Sequence, residues 1–159
     1  MSPEALETSA ERLSRPSEPK ESLFEPLLAT WANLRPVSTE LWSNRDNSIQ
    51  YNSPVLNNEL IFGLSARDAL FCINEKDGTT AWTSPITGKR GFGSIVSAGS
   101  VLFLLTPAGN LVAFEPSGKE FKQLASYKVA DGDTTAYPVL AGNQIFVKDK
   151  DSVTLWTAD

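Results

Sequence analysis

From about Val37 onward, short apolar runs alternate with breaks of Gly, Asn, Asp and Pro. The runs are rich in Val, Ile, Leu, Phe and Thr, which marks strands between turns. They also recur. Ser53–Phe62, Ser94–Phe103 and Tyr137–Phe146 align without gaps. Val55, Val96 and Val139 fall in one column, and Phe62, Phe103 and Phe146 in another, spaced by 41 and 43 residues. Downstream, Leu70–Ile73, Leu111–Phe114 and Val153–Trp156 repeat in the same phase. A period of about 40–45 residues with four short strands predicts β-propeller blades. A single four-stranded sheet cannot bury both faces, so neighbouring blades must stack.

Strands A to D are expected near 53–56, 60–65, 70–74 and 80–84, then near 93–97, 101–106, 111–115 and 123–129. A third set, near 136–140, 144–148 and 153–157, has no D strand. Upstream, Val37–Trp42 reads as a D strand without its blade, much like Thr80–Thr83. The order is therefore D, ABCD, ABCD, ABC. Asn57-Asn58, Ala98-Gly99 and Gly142-Asn143 fit A–B hairpins, where tight turns need positive φ, and Asp77-Gly78 fits a C–D hairpin. The fold class is all-β, about three antiparallel four-stranded blades forming a partial propeller. The Phe column is expected to be core.

Residues 1–36 differ and form a separate, partly helical or disordered extension, with the repeats occupying 37–159. Ser2-Pro3-Glu4 suits a helix start, and Leu6, Ala10 and Leu13 follow at helical spacing. Arg15–Lys20 reads as linker, and Glu25-Pro26 opens a second short segment carrying Leu27, Leu28, Trp31 and Leu34.

Composition narrows the function. The chain carries a net charge of −5, which argues against a nucleic-acid partner. No apolar run is long enough to span a membrane as a helix, and no secretory or lipidation signal is recognised, so the compartment is left open. There is no His, which removes Ser-His-Asp and Cys-His pairs and most zinc sites. The lone Cys72 sits in Leu70-Phe71-Cys72-Ile73 and reads as a small buried hydrophobe.

Cys72–Trp82 resembles the tryptophan-docking motif of PQQ-like propellers: small residue, any, acid, two of any, Thr, Gly, three of any, Trp. Gly78 and Trp82 match at the right spacing, whereas Cys72, Asn74 and Asp77 stand where Ala, Asp and Thr are usual. The resemblance implies that Gly78 makes the turn and that Trp82 stacks on the next blade. The second repeat keeps the turn at Ser117-Gly118 and puts Gln123-Leu124 where Trp would be. Ile145–Asp149 with Leu155-Trp156 resembles the closing blade of bacterial PQQ-like repeat proteins. Members of that family are often periplasmic or exported. Its quinoprotein dehydrogenases hold pyrroloquinoline quinone and calcium and typically carry a vicinal Cys pair, which a single Cys cannot supply. Other members bind no quinone and serve as protein-binding scaffolds.

Two loops are candidate binding surfaces: Gly88–Gly93, with Lys89, Arg90 and Phe92, and the loop carrying Asp131 and Asp133. The first lacks phosphate-loop spacing, and neither Asp131–Asp133 nor Lys148–Asp151 matches a calcium-binding loop. The expected function is that of a non-catalytic propeller module or fragment that binds a protein partner or self-associates through open blade faces. No catalytic residue, metal or cofactor is assigned, and quinone and calcium enter through the resemblance alone. The alternative is a remnant or subunit of a quinoprotein dehydrogenase. The strand count also allows two chains to close a six-bladed ring.

Overall fold

The computed structural model describes residues 39–86 and 92–157. The chain divides into two compact units, Met1–Thr39 and Glu40–Asp159. The extension, and residues 37–38 of the predicted upstream strand, lie outside the described residues.

The second unit contains three antiparallel sheets. Blade 1 is β1 (Val55–Asn57), β2 (Leu60–Leu64), β3 (Ala69–Asn74) and β4 (Thr80–Pro85), paired in chain order. Blade 2 is β5 (Ser94–Ser97), β6 (Leu102–Leu105), β7 (Asn110–Phe114) and β8 (Gln123–Lys128), paired likewise. Blade 3 is β9 (Val139–Ala141), β10 (Gln144–Lys148) and β11 (Val153–Thr157). No helix occurs among the described residues.

The two columns of the repeat are partners across the A–B ladder. Val55 opposes Phe62, Val96 opposes Phe103, and Val139 opposes Phe146. The A strands of blades 1 and 3 start later than expected, immediately after Pro54 and Pro138, which have no N–H to give a ladder. Blade 2 has Ile95 at that position, and its β5 is a residue longer. The first A–B hairpin turns at Asn58 and Glu59, both left-handed, with φ of 48° and 63°. That centre lies one residue beyond the expected Asn57-Asn58.

Burial is uneven. Phe62, Leu64, Leu70, Cys72, Ile95, Leu102, Leu104 and Phe114 form one core between blades 1 and 2. Blades 2 and 3 share a smaller one of Leu105, Leu111, Val129 and Val147. The Phe column follows this gradient: Phe62 is fully buried, whereas Phe103 and Phe146 are only half-buried. The expectation of core holds fully for Phe62 alone. Phe103 faces a cleft, and Phe146 belongs to a sheet with no further blade stacked on it among the described residues.

The upstream D strand does not form a ladder. Glu40–Trp42 is irregular chain, because no C-type strand of a preceding blade lies beside it among the described residues.

Candidate functional site

Two indoles, those of Trp42 and Trp82, reach forward to the C–D connection of a blade. Trp82 stands opposite Cys72, beside a bulge in the β3–β4 ladder. Its Nε1–H donates to the Ser117 carbonyl at 2.7 Å. Its ring packs against Phe62 and Phe121, with centroids 6.1 and 6.2 Å away.

Trp42 repeats the device one blade earlier. Its Nε1–H donates to the Glu75 carbonyl at 2.8 Å, and its ring covers Gly78. Asn44 Nδ2 adds bonds to the Gly78 carbonyl and to Thr80 Oγ1. Gly78 has φ of +73°, so it makes the turn, and the missing Cβ also makes room for the indole. Gly78 and Trp82 therefore do not pack on each other: Gly78 receives Trp42, and Trp82 reaches Ser117.

The joint between blades 2 and 3 is built differently. In blade 1 the ladder pairs Cys72 with Trp82; in blade 2 it pairs Ala113 with Ala125 at the same bulge. Ala125, not Gln123-Leu124, occupies the tryptophan position. The C–D connection explains the shift. It runs over 74–79 in blade 1 but 115–122 in blade 2, so it is two residues longer. The extra length carries Phe121, which packs on Trp82. Gly118 also departs from the expected turn, since it does not take the left-handed conformation of Gly78.

Where the indole is missing, a groove of about 720 Å³ opens. Ala125 lines it, together with Phe103, Leu111, Leu124, Ile145 and Trp156. Trp156 closes one side through its Nε1–H bond to the Val129 carbonyl at 3.2 Å. Leu124, Tyr127 and Trp156 remain 50%, 59% and 41% exposed. This apolar cleft was not singled out in the sequence. The signal for it was the small residue in the tryptophan column, hidden by the longer connection.

The predicted loops are placed separately. Lys89 and Arg90 lie outside the described residues. Phe92 stacks on Tyr51, ring centroids 4.8 Å apart, so two successive D–A loops meet there. Asp131 and Asp133 flank Gly132, which lies beside Asp149 of the blade 3 B–C turn. The same loop is anchored by buried Thr134, whose Oγ1 donates to the Thr106 carbonyl at 2.6 Å. Asp149 accepts from the amides of Ser152 and then Asp151, which holds its carboxyl below the usual range. Asp77 is likewise lowered, chiefly by the Thr79 hydroxyl and then by its amide.

Among the described residues, no three His, Cys, Asp or Glu side chains are grouped to hold a metal ion. Cys72 is fully buried, and burial pushes its thiol up to about 11, so it packs as a hydrophobe rather than acting as a thiolate. No helix among these residues is long and apolar enough to cross a membrane.

No protein-family model matches the chain, and no curated protein does. Solved structures do. BamB from Moraxella catarrhalis aligns at 16% identity and a TM-score of 0.56, over 66% of this chain and 30% of its own. A europium-containing methanol dehydrogenase aligns at 15% identity and a TM-score of 0.56, over 73% and 24%. The quinohemoprotein alcohol dehydrogenase ADHIIG from Pseudomonas putida HK5 aligns at 11% identity and a TM-score of 0.57, over 75% and 21%. The chain thus spans less than a third of each. These are PQQ-like β-propellers, and the present chain has their blade fold. The resemblance carried by Gly78 and Trp82 holds at the level of the fold.

Proposed function

We propose that this chain is a non-catalytic propeller module that holds an apolar segment of another protein between blades 2 and 3. One observation carries the reading: Ala125 occupies the position filled by Trp82 in the preceding blade, and the space left is an open apolar groove of about 720 Å³. An aromatic or aliphatic side chain entering it would be covered on several sides, the environment in which protein interfaces concentrate their affinity. Exposed Tyr127 and Trp156 offer flat apolar contact at the rim, with little rotamer entropy to lose. The loop carrying Asp131 and Asp133 and the loop carrying Lys89, Arg90 and Phe92 are proposed as further contacts for the same partner.

The test is selection of a displayed random-peptide library against the purified chain and against Ala125→Trp, with circular dichroism on both. The reading expects peptides with aromatic or aliphatic anchors that bind the parent and lose at least tenfold in affinity for Ala125→Trp. Absence of enrichment, or equal binding to a folded Ala125→Trp, overturns it. Stoichiometric uptake of pyrroloquinoline quinone with calcium would move the assignment to the dehydrogenase alternative.

A further inference from the structure

The exchange of Trp82 for Ala125 has a counterpart at the A–B end of the same joint. The residue just before the A–B turn is Asn57 in blade 1, Ala98 in blade 2 and Ala141 in blade 3. Asn57 is buried, and its Nδ2 reaches across to blade 2. It donates to Ser97 Oγ at 2.9 Å and to the Gly99 carbonyl at 2.8 Å. Ala98 has no such group to send to blade 3. There a pocket of about 290 Å³ opens, walled by Ala98, Leu140, Gly142 and Asn143. Phe103 and Ile145 line both this pocket and the larger groove, so the two spaces adjoin. Both residues also pack on the joint of Leu105, Leu111, Val129 and Val147, and the cleft is continuous with that packed interface.

Blade 1 shows what such a place accepts. Gly142 stands in the column of Gly99, and both are left-handed, with φ of 60° and 79°. A donor reaching past Ala98 therefore meets the Gly142 carbonyl, as Asn57 meets that of Gly99. Leu140 stands in the column of Ser97, so the second bond of Asn57 has no counterpart in blade 3. Among the described residues, no charged side chain lines the pocket. An ammonium or carboxylate placed there would leave water without a countercharge, whereas a neutral carboxamide with one bonded N–H would not.

We propose that the segment held between blades 2 and 3 carries Asn or Gln close to its apolar anchor, with the anchor beside Ala125 and the side-chain amide beside Ala98, donating to the Gly142 carbonyl. The partner thus supplies, at one joint, both groups that blade 1 supplies at the other through Trp82 and Asn57. This inference rests on the groove reading and adds to it the chemistry of the segment.

The probes are synthetic peptides with one Trp anchor and, one to three residues to either side, Asn, Gln, Asp, Lys, Leu or Ala in turn. They are titrated against the full chain, Ala98→Asn and Ala125→Trp, with circular dichroism on each protein. At one spacing the Asn or Gln peptide is expected to bind the parent about fivefold tighter than the Leu, Asp and Lys peptides, roughly the worth of one net hydrogen bond. Ala98→Asn supplies the amide from the protein, so it is expected to erase that preference and to bind the Ala peptide as the parent does. Ala98→Val, which fills the pocket with no amide, is expected to erase it too. Equal binding of all peptides to the parent, a preference for Asp or Lys, or an amide preference that survives in both folded Ala98 variants overturns the inference and leaves the groove reading standing. Failure of every Trp peptide to bind, or equal binding to a folded Ala125→Trp, overturns both.

Discussion

Gly78 lies directly beneath the indole of Trp42; a Cβ built on it would come within 2.4 Å of the ring's Cε3. Gly78→Ala therefore suffers twice, from a left-handed φ and from the displaced ring. The expected loss is roughly 1–3 kcal/mol of unfolding free energy. In a Trp42→Ala background the steric part disappears, so the double-mutant cycle should show strong coupling. Equal losses in both backgrounds would mean that backbone strain accounts for the whole effect.

Trp82→Phe keeps a ring against Phe62 and Phe121 but removes the donor to Ser117. A net loss of about 1 kcal/mol is expected in urea unfolding, the worth of one such hydrogen bond. Heteronuclear spectra should show the Trp82 indole N–H strongly protected from exchange in the parent chain.

The blade 2 register makes a gain-of-stability prediction. Ala125→Trp fills the groove and is expected to raise stability by about 0.5–2 kcal/mol, as cavity-filling changes do. Gln123→Trp, on the exposed stretch of the same strand, should stay within about 0.5 kcal/mol of the parent. Reversed outcomes would show that the C–D connection is aligned differently.

Asp77 and Asp149 both have carboxyls lowered by hydrogen bonds to their own turns. A folded-state pKa below the unfolded value adds stability that is present above the ordinary carboxylate range and lost as pH falls through the lowered folded value. Urea midpoints should hold from neutrality to about pH 4 and then fall. Asp77→Ala/Asp149→Ala should start lower at neutral pH and lose less on acidification.

Cys72, buried and raised to about 11, should react with a thiol reagent at pH 8 only as fast as the protein opens. In guanidinium it should react at once. Rapid labelling of the native chain would contradict its packing between Phe62 and Trp82.

Much of the fold is legible in the sequence, because strand pairing copies itself with the repeat. The columns Val55/Val96/Val139 and Phe62/Phe103/Phe146 are ladder partners in all three sheets. Local turn chemistry located Gly78, whose positive φ is a property of a few residues. The groove was not legible. Finding it required the blade 2 register, and Phe121 in a longer connection shifts Ala125 away from the place that counting from Ser117-Gly118 suggests. Burial was also beyond reach at Phe103, whose exposure depends on the indole that its own blade lacks at Ala125.

The two joints of this unit are not built alike. Between blades 1 and 2 a hydrogen-bonded indole fixes both distance and twist, as a spacer does in a hinge with no play. Between blades 2 and 3 that spacer is an alanine methyl, and Trp156 reaches back from the far side instead. On the proposed reading, a molecule held in the groove would therefore take the place at the second joint that the indole fills at the first.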